Sequence, residues 1–212
     1  VGFAMTFDNA YLHLRGILEI VRGIDPNVIT VIGGAPMVAA YREILDEQLD
    51  IDAVCYGDGE IPFRHLLEDN APYTLFNNHF SWITRTSLDR EQIPRKTVVE
   101  NLDDILELDY NFIDIKNYLI RGEFSPLDET EIGKERFPII TSRGCPFRCS
   151  FCYRSRENDR KMHYASVDKV IAYVKYLVDT YGMNYLSFYD DQFLFNKKRA
   201  KEIFRRLEPF HL

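Results

Sequence analysis

No apolar run in the sequence approaches the ~18 residues of a membrane-spanning helix, and no basic N-terminal region leads into an apolar core and small-residue cleavage site. The expectation is a chain without a membrane span, working in the cytoplasm. Tryptophan occurs once, and glycine and proline number 11 and 9. With no repeat or low-complexity tract, collagen-like, mucin-like and disordered readings fall away. Positive charge is in deficit, 26 Lys and Arg against 33 Asp and Glu for a net charge of -7, which argues against general nucleic-acid binding. What is abundant is core material. Of 212 residues 46% are hydrophobic, with 13 Tyr and 15 Phe, enough for one or two α/β domains.

The net charge hides a division. Residues 1–130 hold 10 Lys and Arg against 23 Asp and Glu, whereas residues 131–212 hold 16 against 10. Such a shift accompanies separate domains with differently solvated surfaces, and in some cases an anionic ligand. The four cysteines are unevenly placed as well. Cys145, Cys149 and Cys152 fall within eight residues, too close for structural disulfides and suited to metal binding in a reducing compartment. Cys55 lies in the apolar run Ala53-Val54-Cys55-Tyr56 and reads as a small core residue. Trp82 likewise reads as a packing residue.

Along the chain, strands are expected at residues 1–4, 28–32 and 51–56, with helices over 11–21, 36–49 and 61–68 between and after them. Buried strands alternating with helices imply βαβ units and a parallel sheet covered on both faces. Gly33-Gly34 and Gly57-Asp58-Gly59 fall at the carboxyl ends of such strands, where ligands bind in doubly wound folds; tight βα turns would demand the same glycines. From 71 to 135 the pattern is irregular, with strands expected at 79–84 and 96–100 and an acidic stretch over 103–114, and this segment reads as a connector. Regularity returns with a strand at 137–141, the cysteine loop to about 160, a helix capped by Ser166 and closed by Gly182, a strand at 185–189, and a helix over 197–207. Because the chain begins at Val1 inside an apparent strand and ends after only two βα units, it is expected to be a piece of a longer polypeptide.

The segment Arg143-Gly144-Cys145-Pro146-Phe147-Arg148-Cys149-Ser150-Phe151-Cys152 places three thiols at C-x3-C-x2-C spacing on one loop after a strand. Three thiolates can hold three irons of a [4Fe-4S] cube, with the usual fourth Cys ligand absent, which leaves one iron open to a chelating molecule. Structural zinc with His163 as fourth ligand is the competing reading, though no second C-x2-C pair supports it.

This string resembles the signature loop of the radical S-adenosylmethionine (SAM) superfamily, including the aromatic residue before the third cysteine. The preceding part, with Val1-Gly2-Phe3, Val31-Ile32-Gly33-Gly34-Ala35-Pro36 and Tyr56-Gly57-Asp58-Gly59-Glu60, resembles the second half of the cobalamin-binding domain found in one large subgroup. The resemblance implies three regions: the C-terminal part of a Rossmann-like cobalamin-binding domain over 1–70, a connector over 71–135, and the N-terminal part of a TIM-type radical SAM barrel over 136–212. It implies a [4Fe-4S] cluster on Cys145, Cys149 and Cys152 that binds SAM and cleaves it reductively to methionine and a 5'-deoxyadenosyl radical. Phe151 would lie near the adenine, and Tyr189, Asp190 and Asp191 would contact the methionyl amino group, although the two carboxylates also suit a helix entry. Gly33, Gly34 and Gly57 would approach a cobalamin. The family's lower-axial histidine motif lies after the first strand of that domain, whereas this chain begins at the third, and Ala4 stands where the family has serine. The implied activity is a cobalamin-dependent radical methyltransferase, with a radical rearrangement, cyclisation or oxidation that leaves cobalamin unused as runner-up. A binding or electron-transfer module is the non-enzyme alternative. A reductant such as flavodoxin or ferredoxin and a small-molecule or natural-product substrate are the implied partners.

Overall fold

The computed structural model describes residues 1–5, 11–47, 49–91, 94–111, 113–115, 136–152 and 160–212. Asp8 and Asn9, Arg154 and Arg156 after the third loop cysteine, and residues 116–135 of the expected connector lie outside them. The chain divides into two compact units, Val1–Val99 and Glu100–Leu212. The expected connector is therefore shared, its first part folding with the first unit and its later described residues with the second.

In the first unit, strand β1 (Gly2–Ala4) is followed by helix α1 (Tyr11–Ile24), β2 (Val31–Gly33), α2 (Ala35–Ala39), α3 (Tyr41–Asp46), β3 (Ala53–Cys55) and α4 (Glu60–Glu68). The remaining elements are α5 (Pro72–Asn78), β4 (Trp82–Ile83) and α6 (Arg85–Asp89). The sheet runs β1-β2-β3-β4, with the first three strands parallel and β4 antiparallel on the edge. Alternation along the strands splits the core in two. Ile32 and Val54 face a cluster with Leu14, Leu18, Ile44 and Leu45, while Val31, Ala53 and Cys55 face Leu66, Phe76 and Trp82 on the other side. Both faces are covered, as continuous apolar strands require.

Several expectations shift in detail. The strand expected over 28–32 forms at Val31–Gly33, because Thr30 is committed elsewhere: its amide donates to Asp52 Oδ2 at 2.7 Å and its hydroxyl to the Asp50 carbonyl at 2.8 Å. Arg22 closes this polar knot with Nη2 at 3.0 Å from Asp52 Oδ2. The single helix expected over 36–49 is two, broken at Ala40, whose φ of -116° and ψ of 24° leave the helical region. Leu12 and Ile17, apolar residues of the helical pattern, are exposed, since α1 buries only the stripe of Leu14 and Leu18. The strand expected over 96–100 reduces to one bridge between Gly57 and Thr97. Trp82 is a packing residue, 3% exposed and edge-on to Phe76 at 5.4 Å.

In the second unit, β5 (Arg136–Ile139) and β8 (Tyr185–Phe188) pair in parallel, in register from Arg136 opposite Tyr185 to Ile139 opposite Phe188. Between them run β6 (Ser142–Arg143), β7 (His163–Tyr164) and helix α7 (Val167–Tyr181); α8 (Lys197–Leu207) follows. Ser166 Oγ caps α7 by accepting from the Lys169 amide, and Gly182 ends it in the left-handed region at φ 69°. Val170, Val174 and Leu177 of α7 are buried, as are Ala200 and Ile203 of α8. Phe204 on the same helix is half exposed and lies edge-on to Phe188 and Phe193.

Candidate functional site

Parallel pairing puts the carboxyl ends of β5 and β8 on one edge of the second unit, and the Tyr189 amide donates to the Ile139 carbonyl at 2.8 Å just beyond them. The cysteine loop leaves from that edge. It is an excursion closed at its neck by the antiparallel pair β6 and β7, with Ser142 opposite Tyr164 and Arg143 opposite His163. His163, the fourth ligand of the competing zinc reading, is thus half-buried in a strand. Gly144 makes the neck this narrow. Its φ is 94°, and a Cβ there would lie 2.0 Å from the Lys161 carbonyl oxygen.

Beyond the neck, Cys145 and Cys152 are half-buried and Cys149 is exposed, all three as thiols, and the Cys152 amide donates to the Cys149 carbonyl at 3.1 Å. The donor set fits an iron-sulfur cluster by its chemistry: three thiols on one loop with an outer face open to solvent. Among the described residues no three His, Cys, Asp or Glu side chains gather closely enough to hold a single ion.

The other expected residues are divided. Phe151 is 91% exposed beside Cys152, and Tyr189 and Asp191 are exposed at the end of β8. Asp190 is turned inward. Its Oδ1 accepts from the Thr141 amide at 3.0 Å, the Thr141 hydroxyl at 2.9 Å and the Ser142 hydroxyl at 2.5 Å, so it binds the start of the cysteine loop. Gly33, Gly34 and Gly57 stand in the first unit at the carboxyl ends of β2 and β3. Gly34 (φ 105°) would bring a Cβ to 2.1 Å from Met5 O, and Gly57 (φ 113°) to 2.4 Å from Thr97 O; Gly33 would meet only ordinary contact with Cys55. Backbone packing alone thus requires glycine at two of the three positions. Cys55 is core, its thiol pushed up to about 12 by burial first and then by Glu60 and Asp58.

One residue of this region escapes the sequence pattern. Arg199 on α8 is only 8% exposed, and its Nε and Nη2 reach the Ala165 carbonyl at 3.1 and 2.9 Å while Nη2 also reaches the Thr141 carbonyl at 3.0 Å. The guanidinium lies 5.2 Å from the Tyr164 ring centre. Burial lowers its pKa, and Asp190 acts in the opposite direction. The signal was its place four residues before Ile203, on the inward stripe of an otherwise charged helix.

Comparison with known proteins agrees with both units. The B12 binding domain model matches residues 1–67 and the Radical SAM superfamily model residues 139–209. The uncharacterized methyltransferase PH0819 of Pyrococcus horikoshii is 28% identical over 98% of this chain and 43% of its own length. The cytidylyl-2-hydroxyethylphosphonate methyltransferase of Streptomyces wedmorensis is 26% identical over 100% and 43%. An anaerobic magnesium-protoporphyrin IX monomethyl ester cyclase of Cereibacter sphaeroides is 25% identical over 87% and 29%. Among solved structures, the radical SAM methyltransferase TsrM of Kitasatospora setae, with tryptophan and a SAM analogue bound, superposes with a TM-score of 0.70 at 16% identity, over 99% of this chain and 40% of that one. The chain spans less than half the length of each. Residues 1–67 thus match the B12-binding domain family and residues 139–209 the radical SAM superfamily.

Proposed function

We propose that this chain is part of a cobalamin-dependent radical SAM methyltransferase. A cluster on the loop would supply reductive cleavage of SAM, and a bound cobalamin would supply a carrier for the methyl group. The observation that carries the reading is the necked loop with its three thiols at the carboxyl edge of β5 and β8, within the stretch matched by the radical SAM family.

Cys145, Cys149 and Cys152 would hold the cluster as thiolates and leave one iron for the amino and carboxylate groups of SAM. For the strand-end contacts the exposure of Tyr189 and Asp191 favours them over Asp190, whose Oδ1 already serves three donors. Phe151 offers an open ring for the adenine to stack on. Arg148, Arg160 and Lys161 around the loop favour an anionic cluster and a carboxylate-bearing ligand. In the first unit, Gly33, Gly34 and Gly57 line the carboxyl edge of a parallel sheet, the side on which such folds take ligands. A small electron carrier of the flavodoxin or ferredoxin type would act as reductant in a cytoplasmic setting.

The similarity to the ester cyclase keeps a second reading, a radical cyclisation or oxidation without methyl transfer. Product analysis separates them. The full-length protein, loaded anaerobically and given SAM, cobalamin and reductant, should form both 5'-deoxyadenosine and S-adenosylhomocysteine. 5'-Deoxyadenosine without S-adenosylhomocysteine supports the cyclase-type reading, and neither product removes both.

A further inference from the structure

The cysteine loop is held from behind by two charged side chains, one on α8 and one just past β8, neither of which is a thiol ligand. The residue before β6 and the residue after β7 meet at its neck, where the Ala165 amide donates to the Thr141 carbonyl at 2.9 Å. Arg199 takes both of these residues at once through their carbonyls, and Asp190 takes Thr141 and Ser142 through their amide and hydroxyls. Asn196 Oδ1, accepting from the Arg199 amide at 3.0 Å, starts α8 where Arg199 must stand. A planar fork suits this geometry, because its donors can address two carbonyl oxygens together.

We infer that Arg199 and Asp190 are positioning residues that clasp the neck of the cysteine loop and so fix where Cys145, Cys149 and Cys152 present their sulfurs. Among the described residues, Arg199 Nη1 and Asp190 Oδ2 are buried without a hydrogen-bond partner. An apolar pair would avoid that penalty, so closing the neck is what the charged pair adds to the fold. Every Cys ligand lies on the span between Thr141 and Ala165, and a slack neck would let the three sulfurs drift relative to one another.

This inference rests on the cluster reading, and the experiment keeps the two apart. Iron release from reconstituted full-length protein to a chelator is followed for wild type, R199K, R199Q and S142A, together with the electron paramagnetic resonance spectrum of the reduced protein with and without SAM. If the wild type takes up no iron, the cluster reading itself has failed, and this inference with it. If it does, R199Q should release iron about 10-fold faster or more, with an altered response of the spectrum to SAM. R199K should recover only part of that, since an ammonium can take the place of Nη2 between the two carbonyls but cannot also supply the Nε bond to Ala165. S142A, which removes a single hydroxyl, guards against a misfolded R199Q and should show a smaller acceleration in the same direction. Iron release and spectra equal to wild type in folded R199Q, or in S142A where R199Q does not fold, overturn the inference.

Discussion

Replacing Gly57 by Ala should destabilise the first unit severely, whereas the same change two residues on, at Gly59, should not. Gly57 has a φ of 113°, and an added Cβ would sit 2.4 Å from Thr97 O, 2.7 Å from Thr97 N and 2.8 Å from Lys96 Cγ. A positive φ in a residue with a Cβ costs about 1–3 kcal/mol. The collision falls on the segment that pairs with this turn through two backbone bonds, Asp58 amide to Thr97 carbonyl at 2.8 Å and Thr97 amide to Tyr56 carbonyl at 3.2 Å. Losing them adds about 1 kcal/mol each. The sum, about 3–5 kcal/mol, is a large share of the ~5–15 kcal/mol by which a domain is stable. Gly59 has an ordinary helical φ of -81° and nothing within 4 Å of its Cβ position, so Ala there gains chain entropy and loses a tolerant cap residue, for a net change within about 0.5 kcal/mol. Trp82 is the only tryptophan, buried beside Cys55 in the same sheet, so its fluorescence reports this unit. At an m-value near 2 kcal/mol/M, G57A should lower the urea midpoint by about 2 M in the absence of any ligand. An unchanged midpoint, or an equal fall in G59A, would refute the backbone argument and leave Gly57 a residue kept for ligand approach alone.

Three further outcomes follow from the same geometry. Cys55 should resist alkylation in the folded protein at pH 9 while the three loop cysteines react, and four equal rates would contradict its burial. Because its folded thiol is pushed up to about 12 and an unfolded thiol ionises at lower pH, its contribution to stability is full below the ordinary thiol range and declines as the pH climbs toward 12. D191N should weaken SAM binding by calorimetry with iron content unchanged, whereas D190N should instead speed iron loss; the reverse pattern would exchange the roles assigned to the two carboxylates.

The architecture was legible in the sequence because it rests on patterns with strong physical causes. Strands such as Val31-Ile32 and Ala53-Val54-Cys55 are apolar on both faces, and only a covered parallel sheet accommodates that. Ser166 and Gly182 marked the limits of α7 by capping chemistry. What could not be read was set by tertiary contacts. Thr30 leaves its strand because Asp52 and Arg22 wait for it, and the break at Ala40 follows no residue that disfavours helix. The three cysteines were evident from spacing, yet the neck that presents them was not, since β6 and β7 are two residues long and carry no periodicity. Arg199 was not singled out on a helix rich in lysine and arginine. Its function depends on two carbonyls 34 and 58 residues away, which no local pattern encodes.

The central claim is that the loop of Cys145, Cys149 and Cys152 holds a [4Fe-4S] cluster with an iron open to SAM. Anaerobic reconstitution of the full-length protein with iron and sulfide tests it directly. About four irons per chain, with a paramagnetic signal of the reduced protein that changes on adding SAM and disappears when any of the three cysteines is replaced by Ala, is the predicted result. Bound zinc without iron, or a signal that SAM leaves untouched, would contradict it.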